Sequence, residues 1–142
     1  MTAKSTKEMP FGTMLTAMVT PFKPNLEIDF DQAAQLAVDL VKLGNDGIVV
    51  NGTTGEAPTT APEEKAQLVK VIREAVGDSI HVVAGVGNND TADSVQHAKD
   101  AQKAGANGLL VVCPYYNKPP QEGVIAHFQA VADATELGVI TY

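Results

Sequence analysis

Short stretches rich in Val, Ile and Leu alternate along this chain with longer amphipathic ones, and this alternation limits the possible folds more than any other feature. Candidate strands cover Thr13–Val19, Gly47–Asn51, His81–Gly85, Gly108–Cys113 and Gly138–Tyr142. Helical periodicity fills Phe30–Leu43, Pro62–Val76, Thr91–Ala104 and Gln121–Thr135. In the first of these, Ala33, Leu36, Ala37, Leu40 and Val41 form one stripe, with Asp31, Gln35 and Asp39 turned away. Asp29, Thr60 or Ala61-Pro62, and Asp90 with Thr91 supply N-terminal signals. Gly44, Gly77, Gly105 and Gly138 stand where C-terminal caps belong. The result is four βα units and the start of a fifth strand.

Repeated βα units imply an α/β fold with a parallel sheet and right-handed crossovers. A doubly wound sheet would carry a phosphate-binding glycine turn after its first strand. This chain has Thr20-Pro21-Phe22-Lys23-Pro24 there, which cannot serve. Gly85-Val86-Gly87-Asn88-Asn89-Asp90 is a poor dinucleotide turn, since Asp90 would set a negative charge against a pyrophosphate. The expected architecture is therefore the N-terminal half of a (β/α)₈ TIM barrel, a fold that takes about 250 residues when whole. Residues 1–10 read as a tail and residues 11–142 as half of a barrel domain lacking its C-terminal half.

In such barrels the chemistry gathers at the C-terminal ends of the strands. Those ends carry Thr53, Thr54, Gly85, Gly87, Cys113, Tyr115, Tyr116 and Tyr142. The run Gly52-Thr53-Thr54-Gly55-Glu56 is either a turn whose hydroxyls satisfy local backbone or a carboxylate cradle of N–H groups and a hydroxyl. The bracketing glycines favour the cradle. Tyr115-Tyr116 either packs under a Pro-rich loop or supplies a phenol. A phenol with pKa near about 10 needs a hydrogen-bond partner to move protons at neutral pH, and Thr53 could couple two of them, with Tyr142 as the second. Cys113 has no evident base or ligand partner and reads as buried packing. His81 opens a strand away from the site, while His97 and His127 lie in helices; none shows metal-ligand spacing, so no metal or cofactor is expected.

A formal net charge of -7 argues against nucleic-acid or anionic-membrane partners. One cysteine among 142 residues excludes an intrachain disulfide. No apolar run approaches membrane-spanning length, and the N-terminus has no apolar core of a secretory signal, so the cytoplasm is the expected compartment.

Taken together, Thr16-Ala17-Met18-Val19-Thr20-Pro21-Phe22, Gly52-Thr53-Thr54-Gly55-Glu56, Ala84-Gly85-Val86-Gly87 and Pro114-Tyr115-Tyr116-Asn117-Lys118-Pro119 resemble the dihydrodipicolinate synthase family, from about Phe11 onward. The wider superfamily includes N-acetylneuraminate lyase. The resemblance implies condensation of pyruvate with L-aspartate 4-semialdehyde in lysine and diaminopimelate synthesis, through a lysine Schiff base that turns pyruvate into an enamine nucleophile. It also implies that Thr53, Tyr116 and Tyr142 form a proton relay, with Tyr116 reaching into a neighbouring subunit of a dimer or tetramer. Thr54 and the backbone of Thr53 would hold the pyruvate carboxylate.

Two departures follow from the same resemblance. The Schiff-base lysine and an arginine that helps bind the aldehyde would lie beyond Tyr142. The isolated chain is thus expected to be inactive, and Lys118 is a poor substitute because its loop cannot desolvate it. Positions matching the family's lysine feedback pocket hold Ala57, Pro62, Lys65, Asn89, Asp93 and Tyr115, so weak or absent lysine inhibition is expected. The alternatives are another pyruvate-dependent aldolase of the superfamily, or a non-catalytic half-barrel that associates with itself or with a companion C-terminal half.

Overall fold

Each apolar run becomes a strand and each amphipathic run a helix in the computed structural model, which describes residues 10–142. Apart from Pro10, the tail expected over residues 1–10 lies outside the described residues. The strands are β1 (Leu15–Ala17), β2 (Gly47–Val50), β3 (His81–Gly85), β4 (Gly108–Val111) and β5 (Gly138–Thr141). The helices are α1 (Phe30–Lys42), α2 (Pro62–Val76), α3 (Thr91–Lys103) and α4 (Gln121–Ala132), with a single 3₁₀ turn at Ala57–Thr59.

All neighbouring strands are parallel and the order is β1-β2-β3-β4-β5. A doubly wound sheet reverses its strand order and covers both faces with helices. Here the order never reverses, so right-handed crossovers put every helix on the same face, as in a barrel wall. That face is the core. Ile48, Val50, Val82, Ala84, Leu109 and Val111 are buried against Ala33 and Ala37 of α1, Leu68, Val69 and Ile72 of α2, Ala98 and Ala101 of α3, and Val131 of α4. Asp31, Gln35 and Asp39 of α1 are exposed, as its periodicity requires.

Helix starts follow their caps. The Asp29 carboxylate accepts from Gln32 N at 3.0 Å, and the Asp90 carboxylate accepts from Ala92 N and Asp93 N. Helix α2 starts with Pro62 in its first turn, while Glu64 reaches back to accept from Ala61 N at 2.8 Å. Gly44, Gly77 and Gly105 stand just past helix ends with positive φ. Gly138 does not cap α4 as expected: that helix ends earlier, at Ala132 with Asp133 as its cap, and Gly138 is the first residue of β5. Strand β1 is shorter than its apolar run because the Asp46 carboxylate takes the N–H groups of Thr13 and Met14 at 2.7 and 2.9 Å. Among the described residues no helix is long and apolar enough to cross a membrane.

Candidate active site

Strand β2 ends because Asn51 turns left-handed, with φ 58°. Asn and Gly tolerate this region better than most residues. Asn51 is 4% exposed, and its Nδ2 donates to the Lys65 carbonyl at 3.1 Å, tying the strand end to the first turns of α2. The chain then curls on itself. Gly55 N donates to Gly52 O at 3.0 Å, Glu56 N to Thr53 O at 3.1 Å and Ala57 N to Gly52 O at 3.3 Å. The N–H groups of Thr53 and Thr54 are not among these donors. Both threonines are exposed. From the β1 side, the buried Thr20 hydroxyl donates to Gly55 O at 2.6 Å. On the β3 side Gly85 is the only residue type that fits, since a Cβ there would stand 2.2 Å from Asn51 O. The turn is therefore gripped from three elements while two adjacent N–H groups and hydroxyls remain available to an anionic oxygen.

A cavity of about 490 Å³ opens beside this turn, and its wall includes Thr53, Lys65, Gly85, Gly87, Tyr115 and Tyr142. Tyr142 stands at the end of β5, where Tyr142 N donates to Val111 O and Tyr142 O accepts from Cys113 N, both at 2.9 Å. Tyr115 follows β4. Thr54 and Tyr116 do not line the cavity. Tyr116 is 92% exposed and left-handed at φ 69°, and Lys118 is left-handed at φ 48°. The loop is nonetheless anchored: Asn117 N donates to Tyr115 O and Asn117 Nδ2 to Asn89 O, both at 2.8 Å. Tyr116 is thus an exposed aromatic held in an uncommon backbone conformation.

Three participants were not read from the sequence as parts of this site. Lys65 lies on α2, yet it lines the cavity; its ammonium donates to Thr60 O, and burial pushes its pKa below the usual lysine value. Asn51, taken as the last strand residue, forms the hinge of the turn, and its Oδ1 is buried without a partner. An Asn between a β-branched run and a glycine was the available signal. His97 lines the same cavity although its helix position suggested a solvated or packing role.

Cys113 is exposed, against the expectation of buried packing, because β4 ends at Val111 and the residue lies past the helix-covered stretch. His127 is buried at 2% exposure, with Nδ1 2.9 Å from Thr91 Oγ1; burial pushes its pKa down. Among the described residues no three His, Cys, Asp or Glu side chains converge as a metal site.

Residues 10–142 match the model of the dihydrodipicolinate synthetase family. The 4-hydroxy-tetrahydrodipicolinate synthase 2 of Streptomyces coelicolor is 57% identical over 142 residues, all of this chain and 48% of that protein. A dihydrodipicolinate synthase structure from Bacillus anthracis superposes with a TM-score of 0.90 at 45% identity, covering 93% of this chain and 45% of that one. An Acinetobacter baumannii dihydrodipicolinate synthase solved in complex with pyruvate superposes at 0.89 with 38% identity, covering 93% and 45%. The chain thus spans about half the length of the relatives it matches, and its parallel sheet and four helices correspond to the N-terminal part of their barrels.

Proposed function

The chain belongs to the dihydrodipicolinate synthetase family, and from that premise we propose that it carries the pyruvate-binding and proton-relay part of a 4-hydroxy-tetrahydrodipicolinate synthase. This lyase condenses pyruvate with L-aspartate 4-semialdehyde for lysine and diaminopimelate synthesis in the cytoplasm. One observation carries the reading: the Thr53–Thr54 turn, with its uncommitted N–H groups, stands at the wall of a cavity that Tyr142 also lines.

Thr54 and the backbone of Thr53 hold the pyruvate carboxylate. Thr53, Tyr142 and Tyr116 pass protons, with Thr53 accepting from one phenol and donating to the other. Exposure of the Tyr116 ring supports its delivery to a neighbouring subunit's site, hence a dimer built through Tyr116 and a tetramer of such dimers. Among the described residues no lysine is well placed to form the Schiff base. Lys65 is on the cavity wall, but it rises from a helix and its ammonium is held by the Thr60 carbonyl. Lys118 is exposed. By itself the chain binds pyruvate without forming the covalent enamine precursor.

The test combines a pyruvate titration, followed at the backbone amides of Thr53 to Gly55, with borohydride trapping and intact mass. Amide shifts with no mass gain are expected. A trapped adduct would overturn the assignment of the chain as non-covalent, and amides indifferent to pyruvate would remove the cradle.

A further inference from the structure

Asn51 is a costly residue for its position. A left-handed backbone at the end of β2 is most cheaply supplied by glycine. The chain instead places a side-chain amide there, buries it, satisfies only its Nδ2, and leaves Oδ1 without a partner. A buried unmade hydrogen bond lowers stability and offsets what the Nδ2 bond contributes.

Its connections explain it better. Nδ2 holds the Lys65 carbonyl, Lys65 Nζ holds the Thr60 carbonyl, and the Thr60 hydroxyl donates to Ala57 O at 3.1 Å. Together with the Ala57 N–H on Gly52 O, these bonds close a ring of contacts around residues 51–65 that encloses the cradle. The Asn51 carbonyl is itself seated over Gly85, so the residue is fixed from β3 as well as from α2. Without the amide, the turn keeps Thr20 on one flank and the Lys65 ammonium on Thr60, but the end of β2 loses its side-chain tie to α2.

We propose that Asn51 is a positioning residue whose amide, by bonding the Lys65 carbonyl, aims the Thr53 and Thr54 N–H groups at the ligand carboxylate. The inference rests on the reading of this turn as a pyruvate cradle, and it predicts an unusual pairing of effects: loss of the amide loosens the site without weakening the fold.

The experiment compares the unsubstituted chain with Asn51→Gly, which keeps the left-handed backbone and removes both the useful and the unsatisfied half of the amide. Without ligand, amide hydrogen exchange at Gly55, Glu56 and Ala57 is expected to accelerate at least tenfold, exchange in β3 and β4 to stay unchanged, and the thermal midpoint to hold or rise. Pyruvate affinity, from the same amides, is expected to fall at least tenfold. Asn51→Asp retains the size and the tolerance of positive φ but replaces the donor with an acceptor facing a carbonyl, so it should reproduce the loosening. Unchanged exchange in both variants overturns the proposal, as does faster exchange spread evenly over the sheet, which would mark a merely structural residue. Failure of the unsubstituted chain to bind pyruvate would instead count against the cradle, leaving the exchange comparison to judge Asn51.

Discussion

The ring of Phe11 stands edge-on to the imidazole of His81, centroids 6.0 Å apart at 85°, at the N-terminal end of the sheet. Its other edges lie over the first residues of β4 and β5: a Cβ on Gly108 would come within 2.4 Å of Phe11 Cε1, and one on Gly138 within 2.9 Å of Cζ. One aromatic thus closes the end of the sheet opposite the candidate site, in space left by strand-opening glycines. Gly108→Ala is expected to cost about 1–3 kcal/mol by overpacking, read as a shift in urea midpoint. In a Phe11→Ala background the same substitution should cost much less, and additive effects would contradict the packing described.

Thr20 grips the cradle from the β1 side. Thr20→Val keeps the shape, removes the 2.6 Å bond to Gly55 O and leaves that carbonyl buried. A loss of about 1–3 kcal/mol is expected, together with weaker pyruvate binding. Unlike Asn51→Gly, this variant should lose stability and affinity together, and chemical denaturation paired with a pyruvate titration separates the two behaviours.

His127 should give the fold a mildly acidic weakness. Burial lowers its folded pKa below the ordinary 6.5, partly offset by the Val112 backbone. As pH falls through the unfolded value, the unfolded chain takes up a proton that the folded chain still refuses. Stability therefore declines with falling pH in the window just below 6.5 and levels off once the folded state also protonates. His127→Gln should flatten this part of a pH–stability curve measured by thermal melting, and an unaltered slope would assign it to other groups.

L-Lysine is expected to bind weakly or not at all. Lys65, which the family resemblance would place at the feedback pocket, has its ammonium already seated on the Thr60 carbonyl. A second ammonium arriving there meets a like charge in partly desolvated surroundings. Calorimetric titration with lysine should show no saturable heat at micromolar concentrations, and a micromolar site would refute this.

The legible parts of the molecule are those governed by local chemistry. The limits of α2 were readable because Pro62 can begin a helix and Gly77 can end one, and the stripe of α1 because its burial follows a 3.6-residue period. The turn at Thr53–Gly55 was visible through its glycines. What escaped depends on neighbours distant in the chain. Lys65 reaches the cavity because α2 lies behind the cradle, and nothing in its own helix pattern says so. Asn51 was hidden in an apolar run whose direction it reverses. Cys113 looked buried because its apolar neighbours suggested a longer β4, whereas the strand ends at Val111. Gly138 looked like a helix cap because a glycine that ends one element and a glycine that begins the next are alike in a sequence.

The unbroken order of the sheet bears on how the molecule comes into being. Among the described residues each strand pairs with its neighbours in chain order. A nascent chain leaving the ribosome can therefore add each βα unit to a surface already made, without waiting for a distant segment to be synthesised. Each pairing then closes a loop of one βα unit rather than one spanning the whole sheet, and the entropic cost of closing a loop grows with its length. With N-terminal parts folding first during synthesis, the grip on the Thr53–Gly55 turn by β1, β3 and α2 can be complete before the Tyr115–Tyr116 loop has left the exit tunnel.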